Sequence, residues 1–377
     1  MKHDTENEMT IGIDLGDQHG HFCALDNTGE ILEEGRLKTS KAAFEQRFKT
    51  ASPMRIAIEA STHSPWVSSL LKEAGHEVIV ANPRKLRMIF QSDCKNDRFD
   101  ASQLARVARL DPKLLYPVEH RRHQARVDQE IIKVRDSMVR ARTRLVNHVR
   151  STIKSFGGRL VGCGPTTFGR RAARQVPRQL RSALIPILRM IEHHNASVKK
   201  FDRLIESMGR EQYPETTILR QVNGVGAITA LSFVLTLDDP TRFKNSRSVG
   251  AFLGLRPKQD QSGERNPELR ITKAGNRDLR RLLVQCAQYM IGPFGTDSDL
   301  RRFGQAMAAR GGKVAKRRAV VAVARKLSVL LHRLWVTGEV YEPLRTAKRS
   351  EAKRRVGTSK QVPVLDKDAA LVSVTAD

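Results

Sequence analysis

Apolar residues in the first third of the chain fall in short runs bounded by turn-forming residues. Residues 10–15 (TIGIDL) form a β-branched run. Residues 21–25 and 31–37 follow, separated by the turn Asp26-Asn27-Thr28-Gly29. Such a series predicts three strands joined by hairpins. Residues 55–58 (RIAI) give a further strand that ends at Glu59, and residues 77–81 (EVIVA) another. Between and after these, residues 42–49, 65–74, 84–91 and 97–110 carry helical spacing, the last with Leu104, Val107 and Ala108 on one face. Strands in hairpins, then strands alternating with helices, predict a mixed α/β sheet.

The period changes at residues 119–156. Val127, Ile131, Val134, Met138, Ala141, Leu145 and Val149 follow four-three spacing, which predicts a long amphipathic helix with a coiled-coil seam. Its other faces carry Arg135, Arg140, Arg142, Arg144 and Arg150. The stretch GGRLVGCGP (157–165) breaks it, and a second helix is expected over 180–208. Residues 216–345 read as mostly helical with glycine-rich interruptions. From about residue 347 the chain is basic and then poor in large apolar residues, which reads as disorder. The expected organisation is a flexible N-terminus (1–8), an α/β domain (9–115), a helical coiled-coil linker (116–210), a second, mostly helical domain (211–345) and a basic tail (346–377).

Composition narrows the partners. The 377 residues carry a formal net charge of +27, which attracts polyanions. Nucleic acid is the first reading, because neutralising phosphates releases condensed counterions; a ribosome-associated protein and a membrane-surface binder are the alternatives. An aromatic content of 5% argues against base-stacking on single strands as the main role. The four cysteines are scattered without a CxxC pair, so neither a zinc site nor a disulfide framework is expected. The polar N-terminus is not a signal peptide, and no apolar run is long enough to span a membrane.

Candidate chemistry begins with carboxylates. Asp14 and Glu59 each close an apolar strand, and Asp97 and Asp100 are three apart on a predicted helix, hence on one face. If the two strands are neighbours, their acids project from one edge, and the helix can bring the other pair there. Gathering four carboxylates requires a counter-charge. Two Mg²⁺ ions about 3.5–4 Å apart meet that need and suit phosphodiester displacement, with Mn²⁺ as a substitute. Each acid also has a plain reading: Asp14 in a turn before Gly16, Glu59 as a helix N-terminal acid, Asp97 or Asp100 as a helix cap. The order strand Asp, strand Glu, helix Asp-x-x-Asp, after a three-strand start, matches a ribonuclease-H-like fold.

Further along, Val222-Asn223-Gly224-Val225-Gly226 lies between two apolar helical runs, like a helix-hairpin-helix. Backbone N–H groups around Gly224 and Gly226 can grip a phosphate, although a plain helix–helix turn would look the same. Downstream, residues 262–281 carry Arg265, Arg270, Lys273, Arg277, Arg280 and Arg281 around Ser262. Cations of this kind neutralise a phosphate under nucleophilic attack. Serine needs activation, and with no histidine nearby in sequence the carboxylate-bound metal is the candidate activator. On its local surroundings alone, Ser262 reads first as a turn residue before Gly263.

The ordered strings GIDLG, AIEAS, KNDRFDA, VNGVGAITA, AFLGLRP, QSG and RITKAGNRDLRRLL resemble the IS-one-ten family of insertion-sequence transposases over about residues 9–335. The resemblance implies an N-terminal RuvC-like DEDD domain with Asp14, Glu59, Asp97 and Asp100 as the four acids. It implies a C-terminal domain with Ser262 as catalytic serine, in a segment where relatives often have Ser-Ser-Gly-Gly and this chain has Gln261-Ser262-Gly263-Glu264. The glutamate puts the local loop geometry in question. The resemblance further implies excision and insertion of a mobile element through a phosphoserine–DNA link, and a structured bridge RNA that pairs with donor and target DNA. It implies composite sites in a dimer or tetramer, with Arg140 and Arg144 on the long helix facing nucleic acid, and a bacterial cytoplasmic, nucleoid-associated setting. The competing readings are a metal-dependent, structure-selective DNA nuclease without a covalent intermediate, and a non-enzymatic nucleic-acid binder.

Overall fold

A computed structural model describes residues 9–86, 96–267 and 269–346. The expected flexible N-terminus, the end of the helix expected at 84–91, and residues 347–377 of the basic tail lie outside the described residues. The chain divides into two compact units, one through His120 and one from Arg121.

The first unit is built on a five-stranded mixed sheet. β1 (Thr10–Asp14), β2 (His19–Leu25) and β3 (Ile31–Lys38) are antiparallel. After α1 (Lys41–Phe48), β4 (Arg55–Glu59) returns parallel to β1. α2 (Ser64–Glu73) then leads to β5 (Glu77–Ala81), parallel to β4, giving the order β3-β2-β1-β4-β5. α3 (Pro83–Leu86) and α4 (Asp97–Leu110) follow. The period-two alternation of the strands divides the core. Ile11, Ile13, Ile56 and Ile58 face one side and pack with Phe44 and Phe48 of α1 and Val67 and Leu71 of α2. Ala57, Ile79 and Ala81 face the other and pack with Leu104 and Ala108 of α4. Covered on both faces, the central strands read as continuous apolar runs.

The second unit begins with α5 (His123–Ser155), followed by α6 (Pro165–Ala173) and α7 (Arg181–Glu211). α5 and α7 pair along their length, with Arg135 Nε donating to Asp202 Oδ1 at 2.8 Å and Arg142 Nη1 to Asn195 Oδ1 at 2.9 Å. The length of α5 is as expected, but its buried face meets the expected seam only in part: Val149 is buried and Ile131 and Leu145 are half-buried. Ala125, Asp128, Gln129 and Ile132 are buried near its start and Val146, Val149 and Ile153 near its end, while Val127 and Val134 are exposed. Polar residues hold the buried position because they are hydrogen-bonded: Tyr213 donates to Asp128 at 2.5 Å and Gln124 to Asp128 at 3.0 Å, while Arg121 and Thr236 each donate to Gln129 Oε1 at 3.4 Å. Burial and the Asp128 hydrogen bond push the Tyr213 phenol well above its usual range. Hydrophobic spacing cannot register a polar core of this kind. α6 is also unexpected. Its glycine- and arginine-rich sequence hides the spacing Phe168, Ala172, Val176 that packs on Leu184, Leu188 and Ile191 of α7.

α8 (Glu215–Leu219), α9 (Ala227–Leu237), α10 (Arg247–Phe252), α11 (Arg277–Ile291), α12 (Asp299–Ala308) and α13 (Gly312–Thr337) complete the unit. α9 is buried from Thr229 to Leu237, and its Phe233 and Val234 share one core with Leu279 and Leu283 of α11 and Leu327, Leu331 and Leu334 of α13. His332 is buried beside it with both ring nitrogens engaged, to Ser246 Oγ at 2.9 Å and the Pro240 carbonyl at 3.0 Å. Among the described residues no helix is long and apolar enough to cross a membrane.

Candidate active site

The carboxylates stand at one edge of the sheet. β1 and β4 are parallel neighbours in the register Ile13↔Ile58, so Asp14 and Glu59 follow side by side at the strand ends. Both are half-buried. α4 runs antiparallel to β1. Its far end is tied to the strand starts by Arg55 Nη1, which donates to the Ala108 carbonyl at 3.3 Å. Its middle lies against Gly12, where a Cβ would stand 2.1 Å from the Ala101 carbonyl oxygen. Its beginning therefore returns to the edge that holds Asp14 and Glu59. The helix is capped by Asn96, whose Oδ1 accepts from the Arg98 N–H at 3.1 Å. Neither Asp97 nor Asp100 is the cap, and both stand in the first turn. Asp97 is exposed and Asp100 half-buried.

Two histidines that the sequence reading passed over lie at this edge. His21 is the register partner of Asp14 across the β1–β2 pair, and its Nδ1 is 3.9 Å from Asp97 Oδ2. His63, in the segment after β4, accepts from Trp66 Nε1 at 3.2 Å and has its Nε2 3.5 Å from Asp17 Oδ1. A histidine inside a strand gives no sequence signal; only the register places His21 opposite Asp14.

Carboxylate oxygens are the donors that hard divalent cations prefer, so the donor set fits such an ion. Among the described residues no three His, Cys, Asp or Glu side chains already form a coordination shell. Four such acids brought together would repel one another, and a bound cation would supply the missing attraction.

Ser262 lies at the tip of a hairpin arm between α10 and α11. The arm's stem is antiparallel, with Lys258 N–H donating to the Arg270 carbonyl and Thr272 N–H to the Arg256 carbonyl, both at 2.9 Å. At the tip, Ser262 and Arg265 exchange backbone hydrogen bonds of 3.2 and 3.0 Å around a two-residue turn. Stem and tip differ in register by one residue, as in a β-bulge. Gly263 carries φ +54° and Glu264 is not among the positive-φ residues, the sign pattern of a type II′ turn, in which only the first central position needs glycine. Glu264 is therefore compatible with the loop, and Ser262 is exposed.

The cations around the arm divide into two groups. Arg265, Arg270, Lys273 and Arg277 are exposed, as is Arg144 on α5. Arg280 turns inward and pins the arm's base, with Nη1 donating to the Leu253 carbonyl at 2.9 Å and the Ala274 carbonyl at 2.6 Å. Arg140 and Arg281 close an ion-pair cluster on Asp136 and Asp278: Arg281 Nη2 is 2.7 Å from Asp136 Oδ1, and Arg140 Nη2 is 3.6 Å from Asp278 Oδ1. Burial works against the Asp136 carboxylate, but hydrogen bonds from Arg140 and Arg281 outweigh it and hold its pKa below the usual value.

At the expected hairpin, the Val225 N–H donates to the Val222 carbonyl at 2.9 Å with Gly224 at φ +91°, and Gly226 is the N-cap of α9. A cleft of about 440 Å³ opens there between Gly224, Gly226, Thr229, Gln285 and Tyr289.

A ribonuclease-H-like sheet with a carboxylate edge, followed by a helical unit with a cation-framed serine, defines a DNA transposase of the DEDD type. A DEDD IS110-type transposase family matches residues 11–157, and the transposase IS116/IS110/IS902 family matches residues 216–302. The chain belongs to the IS110 family of transposases. It is similar to the transposase for insertion sequence element IS1328 of Yersinia enterocolitica, 28% identical across 75% of this chain and 84% of the relative. It is also similar to the transposase for insertion sequence element IS1111A of Coxiella burnetii, 24% identical across 88% of this chain and 90% of the relative. A probable family 20 transposase of Pseudomonas aeruginosa is 27% identical across 78% of this chain and 88% of its own length. Such a DEDD domain implies use of a divalent cation, and DNA is the partner of the family.

Proposed function

We propose that the chain excises and inserts an insertion-sequence element by serine-mediated strand exchange at a magnesium-dependent carboxylate site. Asp14, Glu59, Asp97 and Asp100 would hold the magnesium. Once bound, the magnesium supplies counter-charge to the attacking and leaving oxygens of a phosphodiester. Ser262 Oγ forms a bond to phosphorus as the phosphorus–deoxyribose oxygen bond breaks, the serine gives up its proton, and the departing oxygen takes one up to leave as a DNA hydroxyl. One phosphoester replaces another, so a second DNA hydroxyl can reverse the step and rejoin strands without an external energy source. Exposed Arg265, Arg270, Lys273 and Arg277 neutralise the phosphates flanking the reacting one, and Gly224 and Gly226 offer backbone N–H groups to duplex phosphate.

The observation that carries this reading is the strand register that sets Asp14 beside Glu59, with the start of α4 returning to the same edge. The active assembly is an oligomer in which serine and carboxylates come from different copies, and the exposed Val127 and Val134 on α5 suit a contact between copies. A structured bridge RNA that pairs with donor and target DNA directs the reaction, and the basic surface that includes Arg144 suits its backbone.

An element-excision assay tests the proposal. Ser262→Ala and Asp14→Ala should each reduce excision by about 10³-fold or more while thermal melts stay unchanged. Excision retained by Ser262→Ala, with Asp14→Ala inactive, would mean cleavage by water and overturn the serine mechanism.

A further inference from the structure

One side of the serine arm, α12 and one face of α13 enclose a groove of about 1130 Å³. Seven of its seventeen lining residues are Arg or Lys and the other ten are apolar; none of the described lining residues is acidic or an uncharged hydrogen-bonding residue. The pattern on α13 follows from helical spacing. Val314, Arg318, Val321, Arg325 and Val329 recur three or four apart on one face, while Ala319, Val323, Leu327, Leu331 and Leu334 of the same helix are buried in the core. Val314 is 61% exposed and Leu269, on the arm, 36%, so the groove's apolar surface is open.

A ligand for such a groove must be anionic along its length, must have apolar faces to lay on the floor, and must not depend on side-chain hydrogen-bond acceptors. Duplex DNA fails the second condition, because its base faces are buried in the stack. Unpaired RNA brings a 2′-hydroxyl at each nucleotide, a donor for which none of the described lining residues offers an acceptor side chain. An unpaired DNA strand meets all three. The floor offers little stacking: among the described lining residues Phe303 is the one aromatic, and the Lys326 ammonium lies 4.1 Å from that ring's centre. Base faces would be held by aliphatic burial, which is indifferent to sequence.

We infer that this groove holds a short unpaired stretch of the DNA strand that carries the phosphate presented to Ser262. Arg270, Arg317 and Arg325 contact its phosphates, and Leu269 and Val314 cover its bases. The inference rests on the reading that Ser262 acts on DNA, because the groove wall and Ser262 belong to the same hairpin arm.

The test uses the full chain carrying Ser262→Ala, so that no cleavage intervenes, and fluorescence anisotropy with a labelled oligothymidylate. A labelled hairpin duplex and an oligouridylate serve as comparisons. Adding Arg317→Gln and Arg325→Gln together should weaken oligothymidylate binding by about tenfold or more and flatten the slope of log K against log salt by about 1.4, two phosphate contacts' worth on a single strand. Adding Val314→Asn and Leu269→Asn, both at exposed positions, should weaken it by about threefold with no change of slope. Duplex affinity should change by less than about twofold in either case. Unchanged oligothymidylate binding would overturn the inference. So would an equal loss on the duplex, which would make the groove a duplex-phosphate site, or tighter binding of oligouridylate with equal sensitivity to the variants. A failed serine mechanism would leave this measurement intact, so the two readings fail separately.

Discussion

Gly12 of β1 lies against Ala101 of α4: a Cβ on Gly12 would stand 2.1 Å from the Ala101 carbonyl oxygen and 2.4 Å from the Ala105 nitrogen. Both neighbours are helix backbone and cannot turn aside as a flexible side chain can. The close approach lets α4 lie flat on the sheet and bring Asp97 and Asp100 to the edge that carries Asp14 and Glu59. Gly12→Ala should therefore destabilise the chain by about 3 kcal/mol, read by urea denaturation, and should weaken divalent-cation binding in the protein that remains folded. A variant with unchanged stability and cation affinity would show that α4 can lift away at no cost.

The second prediction concerns the arm. Arg280 ties the Leu253 and Ala274 carbonyls on either side of its base. Arg280→Met keeps the stem's bulk and removes both bonds. We expect a loss of about 2 kcal/mol in stability and a larger fall in strand-transfer rate than in DNA affinity, because the arm is loosened while its exposed cations remain. A proportional fall in affinity would return Arg280 to direct phosphate contact.

Asp136 supplies a pH prediction. Its pKa in the folded chain is lowered from an ordinary value of 3.8. A depressed carboxylate contributes stability above its unfolded pKa and loses it as pH falls through the folded one. The stability difference between the natural chain and Asp136→Asn should therefore be full at neutral pH and shrink below about pH 4, measured by chemical denaturation across that range. A difference that is constant down to pH 3 would show that the Arg140–Asp136–Arg281 cluster is not what the substitution removes.

Much of the first unit is legible in sequence because its strands are short, apolar and separated by turn residues. The helix that begins at Asp97 and ends at Leu110 is read at both ends from its clear apolar stripe, although its cap is Asn96 and not Asp97 or Asp100. The placement of Asp14 and Glu59 at strand ends and of Asp97 and Asp100 within one helical turn is legible too, because it needs only local periodicity, whereas the pairing of β1 with β4 comes from the sheet. The seam expected on α5 holds at Val149 but not at Val127 and Val134: there the buried face includes Asp128 and Gln129, made tolerable by Tyr213, Gln124 and Thr236. His21 gave no signal because its nearness to Asp97 depends on strand register. Arg140, Arg280 and Arg281 look in sequence like Arg265 and Arg277, and only their internal partners separate them.

The most direct measurement is the chemical identity of the protein–DNA link. The purified chain is incubated with element-end DNA and magnesium, denatured, digested with nuclease and protease, and analysed by mass spectrometry for peptides that retain a nucleotide. The account predicts a nucleotide phosphoester on Ser262, present with magnesium, absent with chelator and absent in Asp14→Ala. Cleaved DNA with no retained nucleotide, or a nucleotide on a residue other than Ser262, would contradict it.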